Sequence, residues 1–179
     1  MAAFILQCFY FMLPAYFANM APVIIKKRFK KLAIPLDLNK KIKGESILGK
    51  NKTFRGLIFG IIFATIITYI QFLLYKTTIF HNFSFINYSN WSLLGFLFGF
   101  GALFGDSAES FIKRRLKIKP GQRFFPWDQL DFVIGSLVFA SLATTITWKM
   151  IIYIAIISVI GHILVNHSAF YLKIRKEKW

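Results

Sequence analysis

Four carboxylates stand in two pairs of equal spacing, Asp106 with Glu109 and Asp128 with Asp131. The chain holds only seven acidic residues, so this concentration needs a physical reason. Residues three apart share a helix face, and each pair can therefore point into one space. An ionised carboxylate near a bilayer centre costs about 2.5–3.5 kcal/mol, less at the edge, and calls for a counter-charge. Lys113, Arg114 and Arg115 offer salt bridges. A divalent cation is the other solution, since Mg²⁺ prefers oxygen ligands and typically joins one or two carboxylates to substrate phosphates. The neighbouring bases would then hold phosphate oxygens while the metal stabilises charge on a leaving group. Spacing leaves both solutions open.

The elements that must position these residues are apolar helices. Of 179 residues, 56% are hydrophobic, more than soluble domains usually carry. No charged side chain occurs in 4–25, 56–75, 77–105, 132–148 or 150–172. About 20 apolar residues cross a bilayer as a helix, so the expectation is an all-α, polytopic membrane protein of about five spans in a single domain, 1–179. The first run has no basic segment before it and is expected to remain as a span, kinked at Pro14 and ending near Pro22. Residues 26–55 read as a basic loop broken by Pro35, Gly44 and Gly49, lying along headgroups. Residues 77–90 read as an uncharged loop, and the third span starts near Trp91. From there a helix reaches Asp106 after roughly 22 Å, which puts the first carboxylate pair at one edge of the membrane. Residues 132–172 read as a helical hairpin with Trp148 and Lys149 at its tip.

The net charge of +16 would suggest nucleic acid in a soluble domain. Its distribution argues against that partner. Of 23 Lys and Arg, eleven lie in 26–55, six in 113–123 and four in 173–179. With five spans these segments share one side, which predicts a cytoplasmic C-terminus, an outer N-terminus and a multi-pass plasma-membrane protein. The lone Cys8 excludes an intrachain disulfide. His162 and His167, five apart on one helix, face different directions and argue against a paired metal site. Gly95, Gly99 and Gly101 suit close helix packing.

Longer blocks carry a resemblance. Gly105-Asp106-Ser107-Ala108-Glu109-Ser110-Phe111-Ile112-Lys113-Arg114, followed by Asp128-Gln129-Leu130-Asp131, resembles the CTP-dependent phosphatidate cytidylyltransferase superfamily. Lys52-Thr53-Phe54-Arg55-Gly56 is similar to that superfamily's Lys-Thr-aromatic-x-Gly segment. Leu13-Pro14-Ala15-Tyr16, Asn19, Pro22, Pro35-Leu36-Asp37, Ile47-Leu48-Gly49 and Pro126-Trp127 narrow the likeness to the archaeal-type branch, the CDP-archaeol synthases. The chain departs from the bacterial enzymes at Lys119-Pro120, in lacking Gly-His-Gly-Gly, and in having Gln129 where Asp-Arg-x-Asp is usual.

The resemblance implies transfer of CMP from CTP to a membrane lipid phosphate with release of pyrophosphate. The acceptor it implies is 2,3-bis-O-geranylgeranyl-sn-glycerol 1-phosphate. An acyl glycerol phosphate is the nearest rival acceptor, and a small cation transporter or a non-catalytic scaffold are rivals of other classes. It further implies Mg²⁺ held by Asp106, Asp128 and Asp131, with Glu109 ligating or orienting, and Lys113 beside them in catalysis. Ser110 and Arg114 would contact phosphates; Lys52, Thr53 and Arg55 would hold the triphosphate or the lipid phosphate; Asn19 would hydrogen-bond in the cavity. A homo-oligomer is compatible with the sequence, which does not decide it.

Overall fold

The computed structural model describes residues 1–119 and 122–171, so the last basic cluster, 173–179, lies outside the described residues. The main helices are α1 (Ala2–Ile24), α2 (Phe54–Tyr75), α4 (Trp91–Arg115), α5 (Trp127–Ala140) and α6 (Trp148–Tyr171). A short α3 (Thr78–Phe83) lies within the expected uncharged loop, 77–90. The basic loop contains a two-stranded antiparallel hairpin, β1 (Lys41–Ile42) and β2 (Glu45–Ser46). The protein is a helical membrane protein, as composition required. Among the described residues, four helices (α1, α2, α4 and α6) are long and apolar enough to cross a bilayer.

The fifth, α5, has 14 residues and covers about 21 Å at the helical rise. The tip of the α5–α6 hairpin does not lie at Trp148 and Lys149, where it was expected. The turn between α5 and α6 is 141–147, and both residues lie in the first turn of α6. The Ser/Thr-rich run there competes for backbone hydrogen bonds and ends the helix early; the Ser141 hydroxyl, for example, bonds the Val138 carbonyl at 2.7 Å.

Helix α1 runs on through Pro14 and ends at Ile24, two residues past Pro22 and so near the expected end. A proline lacks the N–H that would satisfy the carbonyl four residues back. In hydrocarbon that orphan needs another donor or close protein cover. For Pro14 the orphan is the Tyr10 carbonyl, and the Gln71 side chain on α2 donates to it at 2.6 Å. For Pro22 it is the Ala18 carbonyl, which Gly60 of α2 approaches so closely that a Cβ there would lie 3.1 Å away.

Helix α4 is the centre of the bundle, and glycines let two partners reach its backbone. A Cβ on Gly95 would lie 2.6 Å from the Thr65 Cα, and one on Gly99 2.7 Å from the Ile61 Cα, so α2 presses on one face. On another face, a Cβ on Gly101 would lie 2.6 Å from the Gly135 carbonyl oxygen, and one on Gly105 would collide with the Asp131 carbonyl. The small-residue packing expected at Gly95, Gly99 and Gly101 is therefore present. Pairings Gly101–Gly135 and Gly105–Asp131 make α4 and α5 antiparallel. One core, including Cys8, Ala64, Phe98, Phe132 and Ile154, joins all five long helices. The Tyr16 and Ser158 hydroxyls, 2.8 Å apart, tie α6 to α1.

These directions bring the ends of α1 and α4 and the starts of α2 and α5 together. The basic segments 26–55 and 113–119 thus share one end of the bundle, and Lys76 and Lys149 lie at the other.

Candidate functional site

At the basic end a cavity of about 210 Å³ is lined by Leu48–Lys52 of the loop, by Asp106, Glu109, Ser110, Lys113 and Arg114 of α4, and by Asp128 and Asp131 of α5. All four carboxylates singled out by spacing therefore meet in one space. The antiparallel contact explains it. Gly105 against the Asp131 carbonyl brings Asp106 level with Asp131, and one turn further on Glu109 comes level with Asp128. The two pairs face each other because both have a spacing of three residues and the helices run in opposite directions.

Two ammonium groups bridge the elements. Lys52 Nζ lies 2.6 Å from Asp106 Oδ2, joining the loop to α4. Lys113 Nζ lies 2.6 Å from Asp128 Oδ1 and 3.3 Å from Glu109 Oε1, joining α4 to α5. The second Asp128 oxygen accepts from the Phe124 amide at 2.7 Å, and Asp131 Oδ1 accepts from its neighbour Phe132 N at 2.6 Å. Asp131 is also near enough to Asp106, Lys52 and Glu109 to feel their charges. Glu109 is buried, and its Oε1 has no hydrogen-bond partner.

The donors are oxygen only, which suits a hard divalent cation. Among the described residues no three carboxylate, His or Cys side chains converge on one point. That arrangement still fits Mg²⁺, which commonly uses one or two protein carboxylates and completes its octahedron with water and phosphate oxygens. Glu109, ion-paired to Lys113 but with no hydrogen bond on Oε1, and the charge-paired Asp106 and Asp128 are the acceptors on offer.

Three predicted binding residues lie elsewhere. Thr53 is the N-cap of α2, its hydroxyl accepting from Gly56 N at 3.2 Å. Arg55 is buried and donates from Nη1 to the Arg28 carbonyl at 2.9 Å, fastening the loop's start to α2. Asn19 is half-buried on α1 and is not among the residues lining the cavity. Sequence reasoning also assigned no role to Gly49, Lys50 and Asn51, which do line it. The available signal was Asp37-Leu38-Asn39, a turn-forming pattern. The Asp37 carboxylate accepts from the amides of Leu48 and Gly49 at 2.9 and 3.0 Å and so sets where the following residues go.

An apolar helical bundle with a charged cavity at one end fits the class of multi-span membrane enzymes that act on lipids. A family model described as CarS-like, CDP-archaeol synthase, matches residues 1–179, and the chain belongs to this family. It is 38% identical to the CDP-archaeol synthase of Methanocaldococcus jannaschii over 172 residues, covering 95% of this chain and 94% of the relative. It is 36% identical to that of Pyrobaculum islandicum over 177 residues, covering 98% and 99%. A solved structure of an intramembrane enzyme for archaeal membrane lipid biosynthesis superposes with a TM-score of 0.74 at 29% identity, covering 90% of this chain and 94% of that one.

Proposed function

We propose that this protein transfers CMP from CTP to 2,3-bis-O-geranylgeranyl-sn-glycerol 1-phosphate, giving CDP-archaeol and pyrophosphate in phospholipid biosynthesis. The observation that carries this reading is the convergence of two lysine–carboxylate pairs on one cavity at the basic end of an apolar bundle. A lipid phosphate held at the membrane edge could meet a water-soluble nucleotide there.

In the reaction, an oxygen of the lipid phosphate attacks the α-phosphorus of CTP. The bond from that phosphorus to the β-bridging oxygen breaks, and pyrophosphate leaves with the electron pair. A phosphomonoester is already ionised at neutral pH, so no strong base is needed. Catalysis then rests on positioning and on charge stabilisation. Lys52, Lys113 and Arg114 would hold phosphate oxygens, and Ser110 would donate a hydrogen bond. Asp106, Glu109, Asp128 and Asp131 would orient these cations and hold Mg²⁺, which supplies charge neutralisation on the triphosphate when bound. The grouping of basic segments at one end supports a cytoplasmic site in the plasma membrane.

The test is CMP transfer from labelled CTP by the purified chain, offered ether and ester glycerol phosphates together, with lipid products read by mass spectrometry. A CDP-ether lipid with stoichiometric pyrophosphate is expected. Exclusive CDP-diacylglycerol would replace the acceptor, and no CTP-dependent lipid product from folded protein would remove the reading.

A further inference from the structure

The loop between α1 and α2 is fastened at three places, and the two side chains that fasten it, Asp37 and Arg115, do not line the cavity. At its ends Phe54 N donates to the Ile34 carbonyl at 3.0 Å and Leu36 N to the Lys52 carbonyl at 2.8 Å, closing a bridge between Pro35 and Thr53. In its interior Asp37 is buried and accepts three amides, from Asn39, Leu48 and Gly49. At its outer edge Arg115, the last residue of α4, donates to the carbonyls of Ile42, Glu45 and Ser46 at 3.1, 3.4 and 2.7 Å, which pins the β1–β2 hairpin to the helix that bears Asp106. Asp37 from within the loop and Arg115 from α4 thus hold adjacent stretches of it.

What they hold in place is Leu48–Lys52, the loop's share of the cavity wall. Asp37 consumes the amides of Leu48 and Gly49, and Gly49 sits at φ +93°, a conformation strained for any other residue. The next two amides, of Lys50 and Asn51, donate no hydrogen bond within the described residues. Free successive amides after a left-handed residue, beside ammonium and guanidinium groups, are the donors that bind phosphoryl oxygens. Lys50 and Lys52 stand on this wall, and Lys113 and Arg114 on the α4 side.

We propose that Gly49–Lys52 is a phosphate-binding wall of the cavity and that Asp37 and Arg115 are positioning residues that hold it there. The inference rests on the proposed function for its ligand. That ligand is the phosphoryl group shared by the nucleoside triphosphate and the lipid phosphate.

The experiment uses the purified full chain, with Asp37→Asn and Arg115→Lys beside the wild type. Steady-state kinetics would be run separately against CTP and against the lipid phosphate. Both variants are expected to raise KM about tenfold for whichever substrate the wall holds, with kcat within about twofold. The substrate affected identifies the source of the phosphate. Trypsin cleavage after Lys50 and Lys52 gives an independent readout: pyrophosphate should slow it in the wild type and fail to slow it in the variants. Unchanged KM for both substrates with pyrophosphate giving no protection would overturn the proposal. If neither variant folds, wild-type protection alone decides, its presence supporting the wall and its absence ending it. Wild-type protection without CMP transfer would leave the wall standing and remove the proposed function.

Discussion

The two ends of the bundle are built from different materials. At the basic end, order comes from charge: ammonium groups bridge carboxylates on separate elements, and a loop is fastened by backbone groups to Asp37 and Arg115. At the opposite end, order comes from rings. Tyr10 packs against Phe80, Phe83 and Tyr88 at 5.7, 5.6 and 6.4 Å between centroids, and Tyr75 against Tyr88 and His81 at 5.9 and 4.7 Å. Among the described residues every acidic side chain lies at the basic end. Aromatic contacts are individually worth about 0.5–1.5 kcal/mol and carry no chemistry. The difference separates what the molecule needs to react from what it needs to stay folded.

Three measurements would break or sharpen that division. The largest effect is expected for Asp131→Asn, which replaces the carboxyl group facing Asp106 with an amide of the same size. CMP transfer should fall about 10²–10³-fold while the melting temperature stays near wild type; retained turnover would remove Asp131 from the site. Next, Tyr88→Ala empties a fully buried position at the opposite end and should cost about 3–5 kcal/mol of stability. Its turnover per folded molecule should be unchanged, and a specific activity loss would show that the two ends are coupled. The smallest effect concerns pH. Burial pushes the Asp37 carboxyl up, but the amides of Leu48, Gly49 and Asn39 outweigh it and hold the group below its ordinary value. A depressed folded value means the contribution is complete above the unfolded value of about 3.9 and is lost as pH falls through the folded one. Amide exchange at Leu48 and Gly49 should therefore reflect no Asp37 titration between about pH 5 and 8, once intrinsic exchange is accounted for, and show added opening only in strong acid. A transition near neutrality would contradict this.

Much of the architecture was legible in the chain because its cause is local. Charge-free runs mark the helices, and the spacing of Asp106 with Glu109 and Asp128 with Asp131 puts each pair on one face. What was hidden depends on partners far away. The carbonyls that Pro14 and Pro22 leave without a donor are covered by Gln71 and Gly60, which no window around the prolines contains. Thr53 and Arg55 look like binding residues beside Lys52, yet their partners are backbone groups, and Thr before an apolar run is equally the signature of an N-cap. The 141–147 turn carries no charge, so a reading based on charges runs through it.

The shortness of α5 has a consequence for how the protein enters the membrane. With 14 residues it falls below the length at which a helix inserts by itself. It can settle only against a neighbour already there, and the glycine-lined face of α4 is made first. Lys113 is synthesised before Asp128, so the acid arrives at the membrane edge with its counter-ion already in place.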